Sequence, residues 1–316
     1  MSLRIGTSGW SYPGGRGTWN GVFYPAKGAR PRGFDELEFY ARWFDVVEVN
    51  STFYGQPRAA VTVKWAERTP PGFEFAVKLF QKFTHPAMFG QALAAHAPGA
   101  GSAALGHASV VRQTDVDEFK SGVEPLTAAG KFGALLAQFP PSFTATPASV
   151  DYLGWLLRTF ADYAMAIELR HRTWSDRGAD TAALLDAYGA AWVLIDEPKF
   201  RFSIRQNWHA PEESPGAALA YARFHGRNAA EWWRPAAAED RYNYLYSSDE
   251  LRPLAEAAVS LAAQVKKTYL FFNNHFSAQG VANAVQIRRQ LQQDVPSPLP
   301  PGLIERFPWL APANAT

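Results

Sequence analysis

Apolar and polar positions follow two rhythms along this chain. Short apolar runs end in polar side chains, and longer stretches of helical spacing lie between them. Eight such runs stand at residues 4–9, 46–52, 73–80, 132–139, 164–171, 191–196, 220–226 and 268–274. Residues 34–44, 147–160, 179–188, 248–266 and 278–292 read as helices. Short apolar runs bounded by turn residues predict strands. Strands alternating with helices predict parallel βαβ units. Eight units in ~300 residues predict an α/β fold, a single (β/α)8 TIM-type barrel with parallel strands. An open doubly wound sheet is the alternative. The G-x-G-x-x-G turn of its dinucleotide-binding form is missing after the first run. The barrel is expected over residues 1–294, with an Ala- and Gly-rich surface insertion at about 88–115 that carries His96 and His107. Residues 295–316 form a Pro-rich tail, which Phe307, Trp309 and Leu310 are expected to pin to the body.

The polar residues that end the runs are the chemical signal. In the second run, VVEVN, Glu48 and Asn50 stand two apart and so share a face. The other runs end in Ser8 and Trp10, Lys78, Gln138, Glu168 with Arg170, Asp196, Arg223 with His225, and Asn273 with Asn274. In a parallel barrel these ends converge on one face, where the active sites of such barrels lie. Glu48, Glu168 and His225 are the expected acid and base groups. Lys78, Arg170 and Arg223 are expected to hold an anion, since guanidinium forks match phosphate and carboxylate. Ser8, Asn50, Gln138, Asp196, Asn273 and Asn274 can hydrogen-bond a ligand, and Trp10 can stack on one. A structural reading competes throughout. Glu48–Lys78 or Glu168–Arg223 can be internal ion pairs, and a lone histidine is more often a packing residue. Lys78 is either an imine-forming nucleophile or, more simply, a counter-ion to a glutamate.

Composition removes some classes. The formal charge of +2 is nearly neutral, which weighs against a polyanionic partner and leaves nucleic acid open but not favoured. Zero cysteines exclude disulfides and thiolate metal sites. Neither a membrane-spanning run nor a signal peptide stands in the sequence, so a cytoplasmic protein with no membrane partner is expected. The motifs H-x-H and H-E-x-x-H are absent, and D-x-D occurs once, at 115–117, away from the run ends. The sequence therefore requires no metal and no cofactor, and the cations at the run ends suit a small anionic ligand better than a metal.

Nine stretches carry a family resemblance: GTSGWSY at 6–12, FYP at 23–25, EVNSTFY at 48–54, FEFAVK at 73–78, TH at 84–85, QFPPSF at 138–143, IELRHRTW at 167–174, RFHGRN at 223–228 and YLFFNNHFSAQGVANA at 269–284. In this order they resemble the YecE-like proteins, the family of domain of unknown function 72. The resemblance implies the barrel and supplies no reaction. GGRGT at 14–18, the long 88–115 segment and Leu169 depart from the family pattern. Three functional readings follow. One is a metal-independent hydrolase, lyase or isomerase that acts on a small phosphorylated or sugar-like anion. Another is a divalent-metal phosphoesterase using Glu48, Glu168, Asp196 and His225 on nucleic acid. The third is a non-catalytic metabolite-binding protein.

Overall fold

The computed structural model describes residues 2–96, 110–208 and 217–312. Every predicted run contains a strand: β1 Ser2–Thr7, β2 Val46–Val49, β3 Glu74–Lys78, β4 Phe132–Gln138, β5 Met165–Glu168, β6 Ala191–Trp192, β7 Leu194–Asp196, β8 Leu219–Phe224 and β9 Lys267–Phe272. The sixth run is split in two. All pairings between these strands are parallel. The hydrogen bonds divide the strands into two sheets, ordered β2-β3-β4-β5-β6 and β1-β9-β8-β7.

The two sheets meet at both edges. On one side β6 runs into β7 through Val193, whose N–H donates to Ile167 O at 3.0 Å. On the other side β1 touches β2 at an isolated parallel bridge, Ser8 with Glu48. Gly9 N–H donates to Glu48 O at 2.7 Å beside it. Below that bridge a side chain replaces the ladder. The Tyr40 hydroxyl accepts from Thr7 N at 2.9 Å and donates to Val46 O at 3.0 Å. Gly6 is required there, because a Cβ on it would lie 2.3 Å from Val46 O. The eight runs thus follow one another around a ring in chain order, as a (β/α)8 barrel demands.

The expected helices form at Glu36–Tyr40, Pro147–Thr159, Gly178–Asp186, Ser248–Ala262 and Gln279–Gln290. Ser247 caps the fourth in a capping box with Glu250. The segment expected as an insertion holds the helix Pro86–His96 and the start of the helix Gln113–Ala128. Residues 97–109, with His107, lie outside the described residues. In the tail Phe307 and Leu310 are buried as expected, together with Leu299 and with Leu303 of the helix Pro301–Arg306, whereas Trp309 stays 44% exposed. Among the described residues, no helix is long and apolar enough to cross a membrane.

Candidate active site at the barrel mouth

Arg223 is at the centre of the mouth. It projects from β8 and is 1% exposed. Its Nε and Nη2 donate to the two oxygens of Glu48 on β2, at 2.9 and 2.6 Å. Its Nη1 donates to Glu168 Oε2 at 2.5 Å and to Gln138 Oε1 at 2.8 Å. The Tyr221 hydroxyl donates to Glu48 Oε2 at 2.7 Å. This answers why a buried strand carries Glu48. A fully buried guanidinium needs a carboxylate aligned with its fork, and desolvating either alone is costly.

A second layer lies above the first. Arg170 Nε donates to Glu168 Oε1 at 2.7 Å, its Nη2 donates to His225 Nε2 at 3.2 Å, and its Nη1 is 3.7 Å from Glu197 Oε2. On its other side, His225 Nδ1 lies 2.9 Å from Asn273 Nδ2. Burial, Arg223 and Arg170 pull the His225 pKa down to about 3, so the ring is neutral at ordinary pH. Burial alone would raise the Glu168 pKa, but Arg223 and Arg170 outweigh it and hold Glu168 well below the usual carboxylate range. Burial raises the pKa of Glu197.

Lys78 differs from the two arginines. Its Nζ donates to Gln138 Oε1 at 2.9 Å, the same oxygen that Arg223 uses, and lies 4.2 Å from the centre of the Phe53 ring. Among the described residues it has no carboxylate within ion-pair distance. Burial, and then the neighbouring Arg223, bring its pKa from 10.5 down to about 7. The counter-ion role expected as the simpler reading falls instead to the arginines.

The structure therefore brings together Glu48, Lys78, Gln138, Glu168, Arg170, Arg223, His225 and Asn273. Ser8 and Asn50 lie at the strand ends beside Glu48, each with a buried, unpartnered oxygen, Ser8 Oγ and Asn50 Oδ1. Three expected site residues are elsewhere. Asp196 pairs in register with Phe224, one step off the Arg223 face, and is bound by Arg227 at 2.7 Å and the Tyr246 hydroxyl at 2.7 Å. Asn274, one step past Asn273, ties Tyr244 O to Asn283 at 2.8 Å each. Trp10 packs edge-on against Trp65, 5.5 Å between ring centres. The four ligands of the metal reading are thus held by arginines and the Asn273 amide and divided between two faces. Among the described residues, no three His, Asp or Glu side chains are grouped to hold a metal ion. Sequence reading missed Tyr221 and Glu197. Tyr221 stands two residues before Arg223 on the same strand, so alternation alone could have found it.

Beside the mouth, loops after β1, β2, β8 and β9 line a cleft of about 460 Å³ with Tyr12, Tyr54, Tyr242 and His275. The Tyr12 and His275 rings stack at 4.3 Å. Gly14, Gly15 and Gly17 of the GGRGT stretch line this cleft, while Arg16 is taken by Asp240 at 3.1 Å. A larger cavity of about 630 Å³ opens at the opposite end of the barrel, by Leu3, Asp45 and Arg288.

Fold and mouth together define a parallel α/β barrel protein with a buried, arginine-centred charge lattice at the C-terminal ends of its strands, beside it Lys78, which has no ion pair among the described residues. The chain belongs to the family described as "Protein of unknown function DUF72", whose model matches residues 4–304. It is 28% identical over 292 residues to the UPF0759 protein YunF of Bacillus subtilis, covering 90% of this chain and 93% of that one. It is 27% identical over 170 residues to the UPF0759 protein YecE of Escherichia coli K12, about half of each chain (52% and 53%). A solved DUF72 family protein from Thermotoga maritima superposes with a TM-score of 0.73 at 32% identity, over 93% of this chain and 100% of that one. One from Enterococcus faecalis gives 0.72 at 23% identity, over 95% and 98%, a likeness of fold alone.

Proposed function

We propose that this protein is an enzyme acting on a small anionic substrate, phosphorylated or sugar-like, by acid/base chemistry at the barrel mouth. The order of exposure among the charged groups carries this reading. The Glu48 and Glu168 side chains are 0% exposed, whereas the Arg170 side chain keeps 15% and Lys78 8%. A solute entering the mouth meets the cations first, and the carboxylates that neutralise them lie beneath. Arg170 receives the anion. Lys78, which titrates near neutral pH, passes the proton. Glu168 and His225 hold Arg170 in place. Both oxygens of Glu48 are already taken, so it positions Arg223 instead of exchanging protons as expected. The unpartnered oxygens of Ser8 and Asn50 are left for substrate hydroxyls.

Thermal-shift titration with matched pairs tests this reading: glycerol 3-phosphate against glycerol, and gluconate against glucose. The anions should raise the melting temperature, the neutral partners should not, and Arg170→Met should erase the difference. Equal behaviour of charged and neutral ligands would overturn the reading. Binding without turnover of any bound compound would leave a metabolite-binding protein.

A further inference from the structure

We infer that Lys78 is a covalent nucleophile, which forms an imine with the carbonyl carbon of an aldehyde or ketone that also bears a phosphate or carboxylate. The inference rests on the anion-binding reading above and narrows its substrate class. Three placements support it. First, the amine ends β3 inside the mouth and among the described residues carries a single hydrogen bond, to the uncharged Gln138 amide oxygen at 2.9 Å. No carboxylate ties it down among the described residues, unlike Lys82, four residues on, which is bound to Asp115 at 2.8 Å. Secondly, Arg223 Nη1 and Lys78 Nζ donate to the same oxygen. Two cations on one acceptor repel, and that repulsion favours the neutral, nucleophilic amine. Thirdly, Phe53 lies under the nitrogen at 4.2 Å, which gives the amine an apolar side. The groups acting on Lys78 from the surrounding strands and loops are Arg223, Glu168, Glu48 and Arg170, with His85 close by. Arg170, at the outer layer, is placed to take the anionic end of a short substrate.

The amine lone pair bonds to the carbonyl carbon, and the carbonyl π pair moves to oxygen. The two nitrogen protons pass to that oxygen, which leaves as water, and the resulting C=N bond takes one proton from solvent to become the iminium. That cation then draws electrons from the adjacent C–H or C–C bond. This is the route by which a lysine in a barrel supports lyase or isomerase chemistry without a cofactor.

Reductive trapping tests the inference. The full-length protein is treated briefly at pH 7.5 with cyanoborohydride and one of three probes: glyoxylate, glycolaldehyde phosphate or neutral glycolaldehyde. Peptide mapping then locates the adduct. One adduct per chain at Lys78 is expected. Its rate should be at least about tenfold above that of exposed lysines such as Lys64, because an ordinary lysine is almost fully protonated at that pH. The two anionic probes should outpace the neutral one, and glycerol 3-phosphate should slow them. Labelling of Lys78 should level off above about pH 7, where exposed lysines still accelerate. Lys78→Arg should remove the fast adduct and keep the glycerol 3-phosphate thermal shift. Adducts confined to surface lysines, with the phosphate shift intact, would overturn the imine and leave the anion-binding reading standing. Loss of both would overturn both.

Discussion

Arg223 meets two carboxylates at once, so its loss should be felt in folding before it is felt in function. Arg223→Met leaves Glu48 and Glu168 buried with their main partner gone. A destabilisation of about 3–5 kcal/mol is expected, read as a lowered urea midpoint. Tyr221→Phe removes one donor to Glu48 and leaves the Arg223 fork in place, so about 1 kcal/mol is expected from the same titration. A change under the noise for Arg223→Met would mean that the lattice adds nothing to stability. At this scale the sequence was legible where alternation could be used. Glu48, Glu168, Arg223, His225 and Asn273 all stand where the polar run ends placed them. Asp196 and Asn274 do not, and each misses by one residue. Both faces of a parallel strand are buried, so apolar residues fill both, and nothing in the pattern says which parity faces the axis. Asp196 is paired with Arg227 on the helix side as firmly as Glu48 is paired inside.

Among the elements, the strands were the most readable and the joins between them the least. Eight apolar runs gave eight strand positions, because each run is bounded by turn residues and long enough to cross a barrel. The break at Val193 was not visible in AWVLID. It arises because Ala191–Trp192 pairs with β5 and Leu194–Asp196 with β8, so the change of partner falls inside one run. The β1–β2 join was equally hidden, since Tyr40 lies on a helix and Gly6 looks like any small residue. That join makes a sharp prediction. Tyr40→Phe keeps the packing and removes the hydroxyl that links Thr7 N to Val46 O. A loss of about 1–3 kcal/mol is expected, with faster amide exchange at Thr7. Unchanged exchange there would show that the join holds without the hydroxyl.

For the whole molecule, three poorly solvated histidines set a limit in acid. His225 and His85 are pulled to about 3 and His275 to about 4, chiefly by burial. An unfolded chain takes up protons on these rings as pH falls below 6.5, while the native chain does so only near 3 to 4. Protons therefore favour the unfolded state across that window, and stability drops as pH falls through it. Glu168, held ionised by Arg223 and Arg170, adds in the same direction at lower pH. Melting temperature against pH should slope downward below pH 6.5. His275→Phe should flatten the slope between pH 6.5 and 4 while keeping a ring against Tyr12. An unaltered slope would remove His275 from this account.

The join between the two sheets also governs the order of events during synthesis. β1 has its continuous ladder with β9, from Ser2↔Lys267 to Thr7↔Phe272, and only an isolated bridge to β2. The five-stranded sheet has all its strands once residue 192 has left the ribosome. β1, although made first, must wait for β9, made last. Until residue 272 emerges, the nascent chain carries an unpaired first strand and an open sheet edge, the kind of edge to which another chain can add.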